Sequence, residues 1–183
     1  MTAYVALLRG INVGGNNMIK MADLKACFEA QDFTNVTTYI QSGNVVFQTK
    51  ESDPQALEGN IEKIISAGFA HYKAKVVLRS TAQMKQIVDE APKGFGQEPT
   101  NYRYDILFLK EPLTPKEALS QIPLDEVFAG KDVVYFSRLI AKATQSRISR
   151  MVMLPVYQQM TIRNWNTTTK LQKMMDTFDE LTS

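Results

Sequence analysis

The sequence predicts an α+β protein: two ferredoxin-like β-α-β-β-α-β units in tandem, a pseudo-duplication, with an added C-terminal helix. Three observations lead there. Apolar runs of strand length alternate with segments of helical period along the 183 residues. Ser42-Gly43 and Gly130-Lys131 each separate two β-rich runs, which is a hairpin signal. The element order then occurs twice, although residue identity between the halves is slight. A single mixed α/β domain with the same order by coincidence is the alternative. The tandem reading divides the chain into a first unit at 1–80, a helix and linker at 81–102, and a second unit with the C-terminal helix at 103–183.

The elements follow in order. Thr2 to Arg9 reads as a buried strand, with Val5, Ala6, Leu7 and Leu8 apolar. From Met21 to Gln31, Leu24, Cys27 and Phe28 fall at helical spacing. Val36 to Gln41 and Asn44 to Thr49 are the strands of a hairpin. Asp53-Pro54 opens a helix with proline at the first position, and Leu57, Ile61, Ile64 and Ile65 form its apolar face. Lys73 to Arg79 alternates as a strand, with Val77 out of phase. A helix from Thr81 carries Met84, Ile87 and Val88, and Pro92 to Asn101 is a loop. The second series is a strand at Tyr104 to Leu109, a short helix at Pro115 to Gln121, and strands at Glu126 to Ala129 and Asp132 to Phe136. Arg147 to Gln159 reads as mainly helical, interrupted or ended by Pro155. Thr161 to Arg163 is a short strand, and Asn166 or Thr167 caps a final helix through about Leu181.

Composition narrows the function classes. Cys27 is the only cysteine, so no intrachain disulfide forms and a reduced, cytoplasmic setting is expected. No apolar run approaches transmembrane length, so no membrane partner is expected. The net charge is +2, but from Val133 to Met175 there is no acidic residue, while Arg138, Lys142, Arg147, Arg150, Arg163, Lys170 and Lys173 all fall there. This is either a set of solvated helix faces or a positive field for phosphate or another polyanion. His71 is the only histidine, so metal sites rich in His or Cys are excluded, and Asp125-Glu126 edges a strand rather than forming an acidic cluster. No metal and no cofactor are expected. Gly10, Gly14 and Gly15 fit neither the Walker spacing nor the dinucleotide fingerprint, and there is no Gly-x-Ser-x-Gly elbow. Cys27 lies on the apolar side of its helix and reads as a structural thiol.

Polar chemistry gathers in three segments. Leu7-Leu8-Arg9-Gly10-Ile11-Asn12-Val13-Gly14-Gly15 leaves the first strand through a loop that exposes backbone N–H groups. In a ferredoxin-like unit the first two strands run in the same direction without being adjacent. Arg9, Gly10 and Asn12 then come to the same edge as Ser42, Gly43 and Asn44, about thirty residues away. Arg9 would supply a guanidinium, Asn12 and Asn44 amides, and the glycines backbone donors. Equally, Asn and Gly are good turn residues in their own right. The third segment, Arg163-Asn164-Trp165-Asn166-Thr167-Thr168-Thr169-Lys170-Leu171, places a helix N-terminus between Arg163 and Lys170. Trp165 belongs either in the core or against a base or sugar. The central strands carry Tyr4 and Phe47 but no basic-Gly-aromatic signature of the RNA-recognition fold.

Together with Thr38-Tyr39-Ile40-Gln41-Ser42-Gly43-Asn44-Val45-Val46-Phe47, these segments resemble the bacterial family called domain of unknown function sixteen-ninety-seven. The resemblance runs from the first strand to the last helix. It implies a small, cytosolic, bacterial α+β protein and no established activity, cofactor or catalytic residue. From the residues alone, the leading expectation is binding of a phosphate-bearing or other anionic ligand, a small molecule or a nucleic acid. Its residues would be Arg9, Gly10, Asn12, Gly14, Gly15, Ser42, Gly43, Asn44, Arg163, Asn164, Asn166 and Lys170. A non-catalytic protein- or nucleic-acid-interaction module is the alternative. A metal-independent enzyme using Tyr39 or Ser42 is a third, although nothing in the sequence activates either.

Overall fold

In the computed structural model all residues are described except Pro123, Asp125, Ser146, Arg147 and Ser183. The strand-edge reading of Asp125 and the place of Arg147 in the basic stretch therefore lie outside the described residues. The fold is mixed α+β, and among the described residues the strands form two four-stranded antiparallel sheets. The chain divides into two compact units, one of residues 1–84 with 170–183 and one of residues 85–169.

The first unit runs β1 (Thr2–Leu8), α1 (Met21–Glu29), β2 (Thr34–Tyr39), β3 (Asn44–Thr49), α2 (Pro54–Gly68) and β4 (Val76–Ser80). Its sheet order is β2-β3-β1-β4. β1 is antiparallel to both β3 and β4, and β2 is antiparallel to β3, so β1 and β2 run the same way with β3 between them. One face of the sheet, with Tyr4, Ala6, Leu8, Val45, Phe47, Val76 and Leu78, packs in a core with Leu24 and Phe28 of α1 and Leu57, Ile61 and Ile65 of α2. Tyr4 and Phe47 stack inside this core at 6.2 Å, so neither offers a face to a base. The alternate side chains Ala3, Val5, Leu7 and Val46 are buried as well. Helix α2 starts where the sequence places it because the Asp53 carboxylate accepts from the N–H groups of Gln55 and Ala56, and Pro54 needs no acceptor for an N–H it lacks. Cys27 is half-buried, and desolvation raises its thiol pKa, in line with a structural thiol.

The helix α3 (Thr81–Asp89) follows β4. The second unit then runs β5 (Tyr102–Leu109), α4 (Pro115–Gln121), β6 (Val127–Ala129), β7 (Val133–Leu139), a 3-10 segment at Ile140–Gln145, α5 (Ile148–Met151), a 3-10 segment at Pro155–Gln159, and β8 (Met160–Asn164), which passes directly into α6 (Trp165–Thr182). The sheet order is β6-β7-β5-β8, the first sheet's order with each strand replaced by its counterpart. The correspondence reaches single residues: Arg79 of β4 pairs with Val5, and Arg163 of β8 pairs with Ile106, at matching steps of the two central strands. Both arginines are buried and turn a guanidinium N–H onto the carbonyl of the preceding residue, Leu78 and Ile162.

The expected helical stretch is interrupted: α5 ends at Met151, and Pro155 takes the first position of a separate 3-10 segment, where a missing N–H is harmless. One local expectation changes. The last helix is not capped by Asn166 or Thr167. The Asn164 Oδ1 accepts from the Thr167 N–H at 2.7 Å, because β8 runs to Asn164 and the chain turns into α6 within one residue.

Gly43 is where the first unit tolerates least. It sits at φ +76°, and a Cβ there would lie 2.6 Å from Ile11 Cδ1 and 2.9 Å from the Leu8 Cβ. We expect Gly43→Ala to lower stability by about 2–4 kcal/mol, from the left-handed backbone and overpacking together, as measured by urea unfolding. A loss within about 0.5 kcal/mol would contradict this close packing.

Candidate functional site

The first two signature segments meet, and they are largely consumed in meeting. After β1 the chain forms a miniature hairpin: Val13 and Asn16 bridge, Asn16 N–H donates to the Val13 carbonyl at 3.0 Å, and Gly14 and Gly15 take positive φ of 57° and 77°. That is the geometry of a type I′ turn, so these glycines serve a tight reversal rather than an open cradle. Asn12, itself at φ 53°, clamps the arm. Its Nδ2 donates to the Ile19 carbonyl at 2.9 Å and to the Gln41 carbonyl at 2.8 Å, while its Oδ1 accepts from the Ile19 N–H at 2.8 Å. The Asn17 amide donates to the Gly10 carbonyl at 2.8 Å. Across the edge, the Leu8 N–H donates to the Gly43 carbonyl at 2.8 Å. Asn44 is fully buried and donates to the Tyr39 carbonyl and to the Ser42 Oγ. The carbonyl of the half-buried Arg9 accepts from the Tyr72 hydroxyl at 2.5 Å, and its N–H donates to Lys75. The structure thus brings Arg9, Gly10, Asn12, Ser42, Gly43 and Asn44 to one edge and turns the Asn amides onto the chain itself.

The third segment is built differently. Arg163 is buried, with its Nη1 on the Thr161 Oγ1 at 2.9 Å and on the Ile162 carbonyl at 2.8 Å, so it braces β8. Lys170 is exposed on α6. Asn164 and Asn166 are exposed and, with Trp165, line a cleft of about 360 Å³ in the second unit together with Gly96, Pro99, Ile140 and the start of β5: Tyr102, Arg103, Tyr104 and Asp105. Its volume is that of a small-molecule site. A wider groove of about 1110 Å³ in the first unit is lined by residues such as Phe33, Lys50, Glu51 and Asn60 and includes none of the three signature segments.

Each wall of the cleft has a local cause. Gly96, at φ +82°, packs so closely on the Trp165 indole that a Cβ could not be accommodated. The Phe95 ring meets Trp165 edge-on at 5.3 Å and Tyr104 at 4.9 Å, which fixes both rings. Arg103 and Arg138 stand directly opposite each other across β5 and β7, an unfavourable pairing of like charges. On the same face of β5, two residues on from Arg103, is the carboxylate of Asp105, only 9% exposed. Its Oδ2 lies 3.6 Å from the Arg138 Nη2, beyond hydrogen-bond length, and both Asp105 Oδ2 and Arg138 Nε are buried without a hydrogen bond. Burial raises the Asp105 pKa, and the charges of Arg138 and Arg103 pull it partly back. Among the described residues no group of His, Cys, Asp and Glu is arranged to hold a metal ion, and no helix is long and apolar enough to cross a membrane.

The family described as "Protein of unknown function (DUF1697)" matches residues 1–137. The chain belongs to that family. Among solved structures it is similar to that of SP0830, a conserved bacterial protein from Streptococcus pneumoniae, with a TM-score of 0.82 and 24% identity over 96% of this chain and 99% of that one. That likeness shows a shared fold. No curated protein matches the sequence. Within the DUF1697 chain, Tyr102, Arg103, Tyr104 and Asp105 are the residues that sequence reasoning passed over. The signal was there in an acid on the inward register of an otherwise apolar strand, flanked by aromatic and basic residues.

Two outcomes follow from this geometry. Asn12→Ala removes three hydrogen bonds, and we expect a loss of about 1–3 kcal/mol with faster amide exchange at Ile19. Unchanged stability would show that the clamp does not hold the loop. For Asp105, a raised pKa means that the folded state binds the proton more tightly than the unfolded chain. Its contribution is therefore full at acid pH and is lost as pH rises through the raised folded value. Urea unfolding from about pH 3 to about pH 7 should show wild type losing ground to Asp105→Asn as pH increases. A constant gap would contradict a buried, destabilised carboxylate.

Proposed function

We propose that this chain is a tandem of two ferredoxin-like units that binds a phosphate-bearing or otherwise anionic small ligand in a bacterial cytoplasm, at the cleft between the start of β5 and the start of α6. The matching strand orders of the two sheets support the tandem architecture. The observation that carries the binding reading is the Arg103–Arg138 pair. Arg103, which lines the cleft, and Arg138 are Cα partners across β5 and β7, and the Asp105 Oδ2 lies 3.6 Å from the Arg138 Nη2, so two like charges share this neighbouring carboxylate and an anion would relieve their repulsion. An 18-residue helix starts beside them, and its first turn adds the positive end of its dipole. Asn164 caps that turn through its oxygen, which leaves its NH2 group and the exposed Asn166 amide as donors at the cleft.

In this reading Arg163 holds the floor of the site without touching the ligand. The hairpin of Gly10, Gly14 and Gly15 remains a separate surface, with Arg9 at its base. A second reading, a docking module for a protein partner, is supported at that hairpin, where Val13, Met18 and Ile40 are exposed by 64%, 63% and 46% beside the Asn12–Gln41 bond.

Calorimetric titration of inorganic phosphate and pyrophosphate at low salt tests the binding reading. Arg103→Ala should weaken binding by about 1.5–3 kcal/mol, roughly tenfold or more, with the melting temperature nearly unchanged because Arg103 is exposed. An equal effect from Arg9→Ala with none from Arg103→Ala would move the site to the hairpin. Absence of binding to wild type would remove the reading.

A further inference from the structure

The hairpin edge of the first unit keeps a residue that its own backbone disfavours. Ile40 sits at φ 50°, in the left-handed region that a β-branched side chain enters only under strain. Glycine or asparagine would take that conformation more easily. The Ile40 side chain is 46% exposed, so burial inside the fold returns little for the strain. Val13 and Met18 are more exposed still. One clamp sets the backbone of all three. Asn12 precedes Val13, and its amide bonds the carbonyls of Ile19, the residue after Met18, and of Gln41, the residue after Ile40. The three apolar residues are therefore held in place before any partner arrives, which lowers the entropy lost on docking.

Positive charge adjoins them. Arg9 leads into the arm and Lys20 follows Ile19. Residues 72–75 lie against Arg9 through the Tyr72 hydroxyl and the Lys75 carbonyl, which brings Lys73 and Lys75 to the same edge. Lys20 and Lys73 are exposed. Residues 1–22, 33–50 and 63–88 contain no Asp or Glu. Two acids adjoin this edge: Asp23 in the first turn of α1, and Glu62, whose carboxylate accepts from the Val76 N–H. Four cationic side chains against these two carboxylates leave the edge positive.

We propose that this edge docks an acidic protein segment with apolar side chains, which covers Val13, Met18 and Ile40 and sets its carboxylates against Lys20 and Lys73. This rests on the docking reading of the hairpin above and adds the chemistry of the partner. A second copy of the chain would bring the same charge to the same place and be repelled. An anionic membrane would meet the exposed polar turn of Gly14, Gly15 and Asn16 first.

The test places the photo-reactive residue benzoylphenylalanine in the full chain at Val13, at Met18 and, as a control on α2, at the exposed Lys63. Living cells that carry the protein are irradiated, and mass spectrometry identifies the joined peptides. One protein should be joined at Val13 and Met18 and not at Lys63, through a segment rich in Asp or Glu. Lys20→Glu with Lys73→Glu should cut the yield tenfold or more, and reversing the partner's acids to Lys should restore it. Ile40→Gly should weaken docking of the purified pair at least fivefold while raising the melting temperature by about 2–4 °C, because the strain is relieved. A lower melting temperature would mean that the fold itself uses Ile40 and would overturn the strain argument. A partner joined through a neutral or basic segment, with no response to charge reversal, overturns the acidic assignment and leaves the docking reading standing. Joining to a second copy, or co-sedimentation with phosphatidylglycerol vesicles in place of a protein product, overturns the proposal. If neither Val13 nor Met18 yields a product above the Lys63 control, the docking reading falls with it.

Discussion

Each sheet has two inner strands hydrogen-bonded on both sides, and the one beside the last strand ties the hairpin to it. β1 holds β3 and β4, and β5 holds β7 and β8, so the register of these central strands fixes every other position. Asp105 is the first residue of β5 paired on both sides, with Phe136 and with Asn164. The ladder leaves that carboxylate nowhere to go: moving it to water would break backbone pairs on two strands. The sheet thus sustains a buried charge that side-chain packing alone would not tolerate, and the same ladder sets Asn164 and the start of α6 beside it.

The backbone was largely legible in the sequence. β3 and α4 fall on the predicted residues, and β1, β5, β7 and β8 differ only at their ends. Period and turn chemistry are local properties, which explains that success. The adjacency of the Arg9 and Ser42 segments also followed, because strand direction is a consequence of element order. What could not be read was the use of each polar side chain. Asn12 looks the same in sequence whether its amide faces a ligand or the Gln41 carbonyl, and only the three-dimensional path of the loop decides. Arg163 is similar: a basic residue beside a helix start reads as an anion contact until its inward register turns it onto Thr161 and Ile162.

The acid-free basic stretch divides in the same way. Arg138 is drawn to Asp105 and Arg163 is buried, whereas Lys142, Arg150, Lys170 and Lys173 are exposed. Charge in sequence therefore overstates charge at any one place. The arginine that lines the cleft is instead Arg103, which lies outside that stretch and meets Arg138 only through the β5–β7 pairing. Signature segments one and two act mainly as architecture, since a tight hairpin and two Asn clamps lock the edge of the first sheet. Segment three divides, with Arg163 inside and Asn164 and Asn166 at the cleft.

The central claim is that a ligand binds where β5 and α6 begin. Two-dimensional amide NMR of the isotopically labelled protein, titrated with phosphate-bearing ligands at low salt, tests it residue by residue. The account predicts that shifts concentrate at Arg103, Asp105 and Asn164 to Asn166, together with the Trp165 indole N–H. Shifts confined to Gly10 to Asn17 and Ser42 to Asn44, with the cleft silent, would contradict it.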